Sequence, residues 1–206
     1  MDTVGTLIQN LTLELKHLKS NFEALLANRI SGGFDDSTAL ARLDGAMEER
    51  VFVYDWKIPM ETLENYTLGE ELYSKRFYIA PNSYRMFISM YPTGDASRPS
   101  DYMSFVNAFV GIARGVYDDY LLWPFVNKLQ LILLDHTKED PANIELAVDP
   151  RTTCTDNGEI GKAFQKPRSP FGEGCGSISF AQRSELLTRN YIEDEHITIR
   201  LKVFLD

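Results

Sequence analysis

Two cysteines and three histidines in 206 residues leave too little for a disulfide framework, a structural zinc site or a metal cluster. The cysteines are Cys154 and Cys175, and His17, His136 and His196 are scattered along the chain. No apolar run approaches the ~20 residues needed to span a bilayer. Bases are short too: 21 Lys+Arg stand against 30 Asp+Glu, a formal net charge of −9. A chain of that sign repels phosphate, which argues against a nucleic-acid partner. The N-terminus, MDTVGTLIQN, has neither the basic start nor the apolar core of a secretory leader. A reducing, cytoplasmic setting is therefore expected, in which the triplets Asn10-Leu-Thr12 and Asn65-Tyr-Thr67 would carry no glycan. Internal repeats, low-complexity stretches and a Gly-rich phosphate loop opening a helix are lacking as well.

What is present changes character near residue 50. Between Asp2 and Arg50 there is no proline, and Val4, Ile8, Leu11, Leu15, Leu18, Phe22 and Leu25 recur in steps of four and three. That is a heptad seam, with Ile8, Leu15 and Phe22 at one core position and Val4, Leu11, Leu18 and Leu25 at the other. The remaining faces are polar, so the seam predicts a self-associating coiled coil rather than a helix packed on its own domain. About three heptads give a rod of roughly 35 Å. Mixed Leu and Ile at the core positions are compatible with a trimer without demanding one. Ser31-Gly32-Gly33 breaks the pattern, and a short helix through Leu40, Leu43 and Met47 is expected after it. Residues 1–50 are thus read as an oligomerisation stalk.

From Val51 the period becomes two. Val51–Tyr54 with Trp56–Ile58 reads as a first strand. In Tyr84–Tyr91, Met86, Ile88 and Met90 share one face, and Arg85, Phe87, Ser89 and Tyr91 share the other. Phe105–Ile112 and Leu129–Leu134 are apolar enough to be buried on both faces. In the last strand Ile197, Ile199, Leu201, Val203 and Leu205 point one way. Turn residues separate these runs, so residues 51–206 predict an antiparallel sandwich. Tyr117–Leu122, stopped by Pro124, is the one helix signal read here, a turn or two over one end of the sandwich.

No catalytic constellation emerges. A thiol at Cys175 served by His136 or His196 would need a convergence that nothing in the sequence supplies. The carboxylates of Glu193-Asp-Glu195 alternate between faces of an extended chain and so diverge. No enzymatic activity and no cofactor are expected. Gly172, Gly174 and Gly176 leave a strand with little bulk. Such a strand either lets another backbone approach, as when a peptide adds to a sheet edge, or is a simple loop.

An ordered set of motifs is more specific. Tyr54-Asp-Trp-Lys-Ile58, Phe77-Tyr78, Tyr84-Arg-Met86 and Tyr91-Pro-Thr-Gly-Asp95 are followed by Trp123-Pro-Phe125 and Leu131-Ile-Leu-Leu-Asp135. Phe164-Gln-Lys-Pro167, Gly174-Cys-Gly176 and Tyr191-Ile-Glu-Asp194 complete the order. From about Val51 to the C-terminus the chain resembles the C-terminal MATH domain of the tumour necrosis factor receptor-associated factor (TRAF) family, which usually follows a coiled coil. The resemblance implies a mostly β fold, an eight-stranded antiparallel sandwich on an N-terminal helical stalk, assembled as a homotrimer. It implies a signalling adaptor that takes short segments of receptor tails or adaptor proteins by edge-strand addition, meeting membranes only through those receptors. Many members carry RING and zinc-finger modules and act as ubiquitin ligases, so a substrate-recruiting piece of such a ligase is the alternative.

Position by position, the resemblance implies pocket roles for Tyr91, Asp95, Phe109 and Phe164, and an edge strand of Gly174, Cys175, Gly176 and Ser177. Ser89 and Lys162 stand at further pocket positions. Many members carry arginine where this chain has Ser89. Others carry a serine run where this chain has Gly161-Lys-Ala163, and some carry aromatics at the positions of Cys175 and Ser177. Losing the arginine is expected to weaken the family's acidic motifs, leaving Asp95 and Lys162 as the charged groups of the site.

Overall fold

The computed structural model describes residues 50–97, 100–186 and 190–205. The seam from Val4 to Leu25 and the short helix after Gly33 lie outside these residues.

Twelve strands and two short helices follow one another. They are β1 Arg50–Pro59, α1 Met60–Glu64, β2 Leu72–Tyr73, β3 Phe77–Tyr78, β4 Arg85–Tyr91, β5 Phe105–Ala113 and β6 Leu129–Leu133. Then come β7 Ile144–Val148, β8 Thr155–Asp156, β9 Glu159–Ile160, β10 Phe171–Gln182, α2 Arg183–Leu186, β11 Ile192–Glu193 and β12 His196–Leu205. One sheet runs β1-β12-β6-β7, with β11 beside β12, and the other runs β10-β5-β4-β2, with β3 also on β4. All of these pairings are antiparallel. Because β2 and β3 pair with successive parts of β4, they form one interrupted strand. Counted so, and with the two-residue β11 set aside, the sandwich is eight-stranded, as expected.

The core lies between the sheets. Met86, Ile88 and Met90 of β4 meet Leu129, Leu131 and Leu133 of β6 and Ile197, Ile199, Leu201 and Val203 of β12 in one buried cluster. Alternation decided this: each of these strands offers an apolar residue at every second position, and burying that face is the main favourable term. The motif residues hold loops onto the core. Trp123 Nε1–H donates to the Asp118 carbonyl at 2.8 Å, and the Tyr191 hydroxyl donates to the Ala142 carbonyl at 2.8 Å. Asp135, 9% exposed, accepts the backbone N–H groups of Thr137 at 2.8 Å and Ala142 at 3.1 Å, closing the β6–β7 loop.

Three expectations are corrected. The Tyr117–Leu122 segment is a single 3-10 turn, Asp118–Tyr120, and it covers little: Tyr120 and Leu122 are 86% and 85% exposed. Helical turns were overlooked at Met60–Glu64, directly after β1, and at Arg183–Leu186, directly after β10. Finally, two cysteines make no framework, but they do make one cross-link. Cys154 and Cys175 are disulfide-bonded, with Cα atoms 5.8 Å apart across a sequence separation of 21.

Candidate functional site

The outer face of the β10-β5-β4 sheet carries Ser89, Tyr91, Phe109, Gly174 and Gly176 of the candidate residues. Register places Phe87 opposite Gly111, Ser89 opposite Phe109 and Tyr91 opposite Asn107. On the next strand Gly174 lies opposite Gly111 and Gly176 opposite Phe109. Inward partners of the same strands, such as Ile88, Val110 and Cys175, sit in the core cluster, so this second set faces away from it.

Rings cover much of that face. Tyr73 and Phe171 lie 5.8 and 5.1 Å from Phe87, centroid to centroid, and 4.8 Å from each other. Arg76 caps the Phe171 ring at 5.0 Å. Tyr91 and Phe109, both half-buried, meet edge to face at 6.2 Å. The Tyr91 hydroxyl donates to Glu71 Oε2 at 3.1 Å, and the Tyr73 hydroxyl donates to the same oxygen. Burial, followed by the Glu71 carboxylate, pushes the Tyr73 phenol well above its ordinary value.

The glycines serve the sheet. A Cβ on Gly176 would fall 1.9 Å from the Ala108 carbonyl oxygen, and one on Gly174 would fall 2.8 Å from Phe109 Cβ. The close approach they permit is that of β5. Their strand is also an edge: β5 is the only strand paired with β10 among the described residues. Between Ser177 and Ala181 a bulge interrupts the pairing.

The structure separates the expected residues. Tyr91, Phe109, Gly174, Gly176 and Ser177 are part-exposed or exposed on or beside one face. Lys162 joins them from a 3-10 turn, Lys162–Phe164, and is ion-paired with Glu173 of β10 at 3.7 Å. Asp95 belongs to the turn beyond β4, where its Oδ1 accepts the Ser97 N–H at 2.9 Å and hydroxyl at 2.7 Å. Three residues do not offer a surface. Phe164 is fully buried against Phe125, at 6.2 Å. Cys175 is fully buried, and its sulfur is spent on Cys154. Ser89 faces outward but is only 1% exposed, and its hydroxyl is without a partner. Ser89 therefore sits under the ring layer rather than on it.

Sequence reasoning missed Asn107, whose side-chain oxygen and nitrogen are both buried without partners. It is the one strongly polar residue in the run Phe105–Ile112, which was the available signal. It also missed a basic margin. Arg85, Arg114, Lys166 and Arg168 line one cleft, and Lys162, Lys166 and Arg168 line another beside Gly172 and Glu173. Lys166 is paired with Asp119 at 2.6 Å, which holds that carboxyl below its usual range. Among the described residues Arg114 and Arg168 are not ion-paired.

Comparison with known proteins agrees with this architecture. The chain is 32% identical to TNF receptor-associated factor 1 of Mus musculus over 137 residues, covering 66% of this chain and 30% of that protein. It is 29% identical to TNF receptor-associated factor 6 of Homo sapiens over 161 residues, covering 73% and 28%. The match thus spans about a third or less of these relatives' length. A solved structure of Notothenia coriiceps TRAF5 shares the fold, with a TM-score of 0.62 at 22% identity, covering 98% of this chain and 96% of that one. Residues 69–200 match the TRAF/meprin MATH domain, and the chain belongs to that family.

Proposed function

We propose that this chain is a non-enzymatic signalling adaptor whose sandwich takes an extended peptide segment of a receptor tail or another adaptor along the β10 edge. The observation that carries the reading is the edge itself: an unpaired rim of β10 from Phe171 to Ser177, flanked by the Tyr91–Phe109 ring pair. An added strand would gain main-chain hydrogen bonds there, and the rings would receive alternate side chains. The basic margin at the Phe171 end makes that half of the edge suited to acidic residues of the partner, in a chain that is otherwise acidic.

Single sites of this size bind weakly, because a short peptide buries little area and loses entropy on ordering. The heptad seam of residues 4–25 supplies the remedy: three sandwiches on one stalk act by avidity where receptors cluster. The cytoplasm is the setting in which receptor tails are met.

A library of extended peptides, screened by fluorescence polarisation and followed by amide exchange, tests the edge. Bound peptide is expected to protect alternate amides between Phe171 and Ser177, and Phe109→Ala is expected to weaken binding about fivefold or more. Peptides that bind without protecting any of these amides would remove β10 as the site. Light scattering tests the stalk: the double variant Leu15→Asp/Leu18→Asp is expected to be a folded monomer, and the parent a trimer.

A further inference from the structure

The disulfide joins unequal partners. Cys154 is exposed and holds a left-handed backbone, φ 55°, whereas Cys175 is fully buried on the edge strand. Between them the chain forms β8 and β9, two residues each and paired only with one another, then the 3-10 turn that carries Lys162, then the basic loop leading into β10. The segment before the hairpin is well tied: the Asp149 carbonyl accepts the N–H groups of Thr152 at 3.0 Å and Thr153 at 2.7 Å. The next firm anchor is Phe164, buried, with its carbonyl bonded to the Phe125 N–H at 2.9 Å. From 154 to 159 every residue is exposed, whereas Ile160 packs part-buried against the core and Gly161 is buried, so the disulfide is the main tie of residues 154–159 to the core.

We infer that the Cys154–Cys175 bond is a redox latch on the candidate groove: reduced, it frees the β8–β9 hairpin next to the turn that carries Lys162; oxidised, it fixes that hairpin beside β10. The inference rests on the groove assignment made above, because it names a regulation of that same site. In a thiol-reducing setting a protein disulfide persists mainly as a transient or sensing bond, and this one has an exposed half. The reductant is a thiol or dithiol. Its thiolate attacks Cys154 Sγ, the S–S bond breaks, and Cys175 leaves as a thiolate and takes up a proton. A second thiol then resolves the mixed disulfide. Two electrons and two protons enter the protein, and the reductant leaves as its own disulfide.

Hydrogen exchange on the full chain, with and without dithiothreitol, decides between a latch and a permanent staple. Mass mapping after thiol alkylation reports the state of the bond. Reduction is expected to speed exchange across residues 154–159 by about tenfold or more while β4, β6 and β12 keep their protection. Cys154→Ser should reproduce this without reductant, and it leaves the buried Cys175 in place. Peptides selected by the library screen should bind the reduced form about fivefold more weakly. Unchanged exchange at 154–159 overturns the proposal, as does loss of protection in all strands together. A bond that dithiothreitol cannot reduce in the folded protein overturns it too. If no peptide binds either redox form, the groove assignment fails, and the loss of a peptide response is then separable from the exchange result, which still judges the hairpin's release.

Discussion

Ser89 and Asn107 keep three polar atoms buried without partners beneath the ring layer of one sheet. A buried hydroxyl without a hydrogen bond costs stability, so its removal should not. Ser89→Ala is expected to leave the fold intact and raise its unfolding free energy by up to about 1 kcal/mol, read from urea melts. Ser89→Arg, attractive if serine were a surface substitute for the family's arginine, should instead destabilise the fold by roughly 3–5 kcal/mol, because a position 1% exposed cannot hold a guanidinium without displacing the rings. Asp55 is the opposite case. It sits opposite Arg200 across β1–β12 and accepts two bonds from its guanidinium, at 2.7 and 2.8 Å. That pairing holds the Asp55 carboxyl below its ordinary value. A depressed carboxylate contributes stability that is fully present above the unfolded value, near pH ~4, and is lost as pH falls through the folded one. The pair is about a third exposed, so screening limits its worth. Asp55→Asn is expected to cost about 0.5–1 kcal/mol at neutral pH, with the difference from the parent closing on acidification below pH ~4.

At the scale of elements, legibility followed length and alternation. β12 and β4 were readable because five or three apolar residues on one face leave a strand no other way to bury them. The two-residue strands β2, β3, β8, β9 and β11 have no period to read; pairing with a partner strand, local for β8, β9 and β11, alone makes them strands. α1 and α2 were missed for the same reason, being five and four residues long. Of the site, the shared face of Ser89 and Tyr91 was readable from spacing, and Tyr91, Phe109 and the β10 segment were placed by the resemblance. The burial of Phe164, Cys175 and Ser89 was not readable, since it depends on neighbours distant in sequence. Neither was the cysteine pair, because its partners lie on different elements. One interruption carries a prediction. Between β2 and β3 the Ser74 N–H donates to the Ile88 carbonyl at 2.9 Å, and Ser74 Oγ accepts the Ile88 N–H at 2.9 Å. A side chain here replaces a backbone carbonyl in the ladder. Ser74 is 5% exposed, so Ser74→Ala strands a buried N–H and should cost about 1–3 kcal/mol in thermal or urea unfolding, with faster exchange at Ile88.

For the whole molecule, the disulfide gives a thermodynamic counterpart to the latch. Cross-linking residues 21 apart restricts the unfolded chain by about 3 kcal/mol in chain-entropy terms. A rigid staple would forfeit that amount on reduction. Where the hairpin is released in the folded state too, both states gain freedom, and the loss should be well below about 3 kcal/mol. Calorimetry of the parent and Cys154→Ser under identical buffer checks this, the latch expecting a melting shift of only a few degrees.

The margins of the β10-β5-β4 sheet have a further consequence. One is broken at Ser74 between β2 and β3, and the other is bent by the bulge after Ser177. Neither presents a long flat ladder to another copy of itself, and such ladders are where sandwiches fuse into fibrils. The regular part of β10, Gly174–Ser177, lies between two register shifts and is about 13 Å long, room for one short guest strand and not for an endless one. Crowding many copies together would therefore not join them through this sheet.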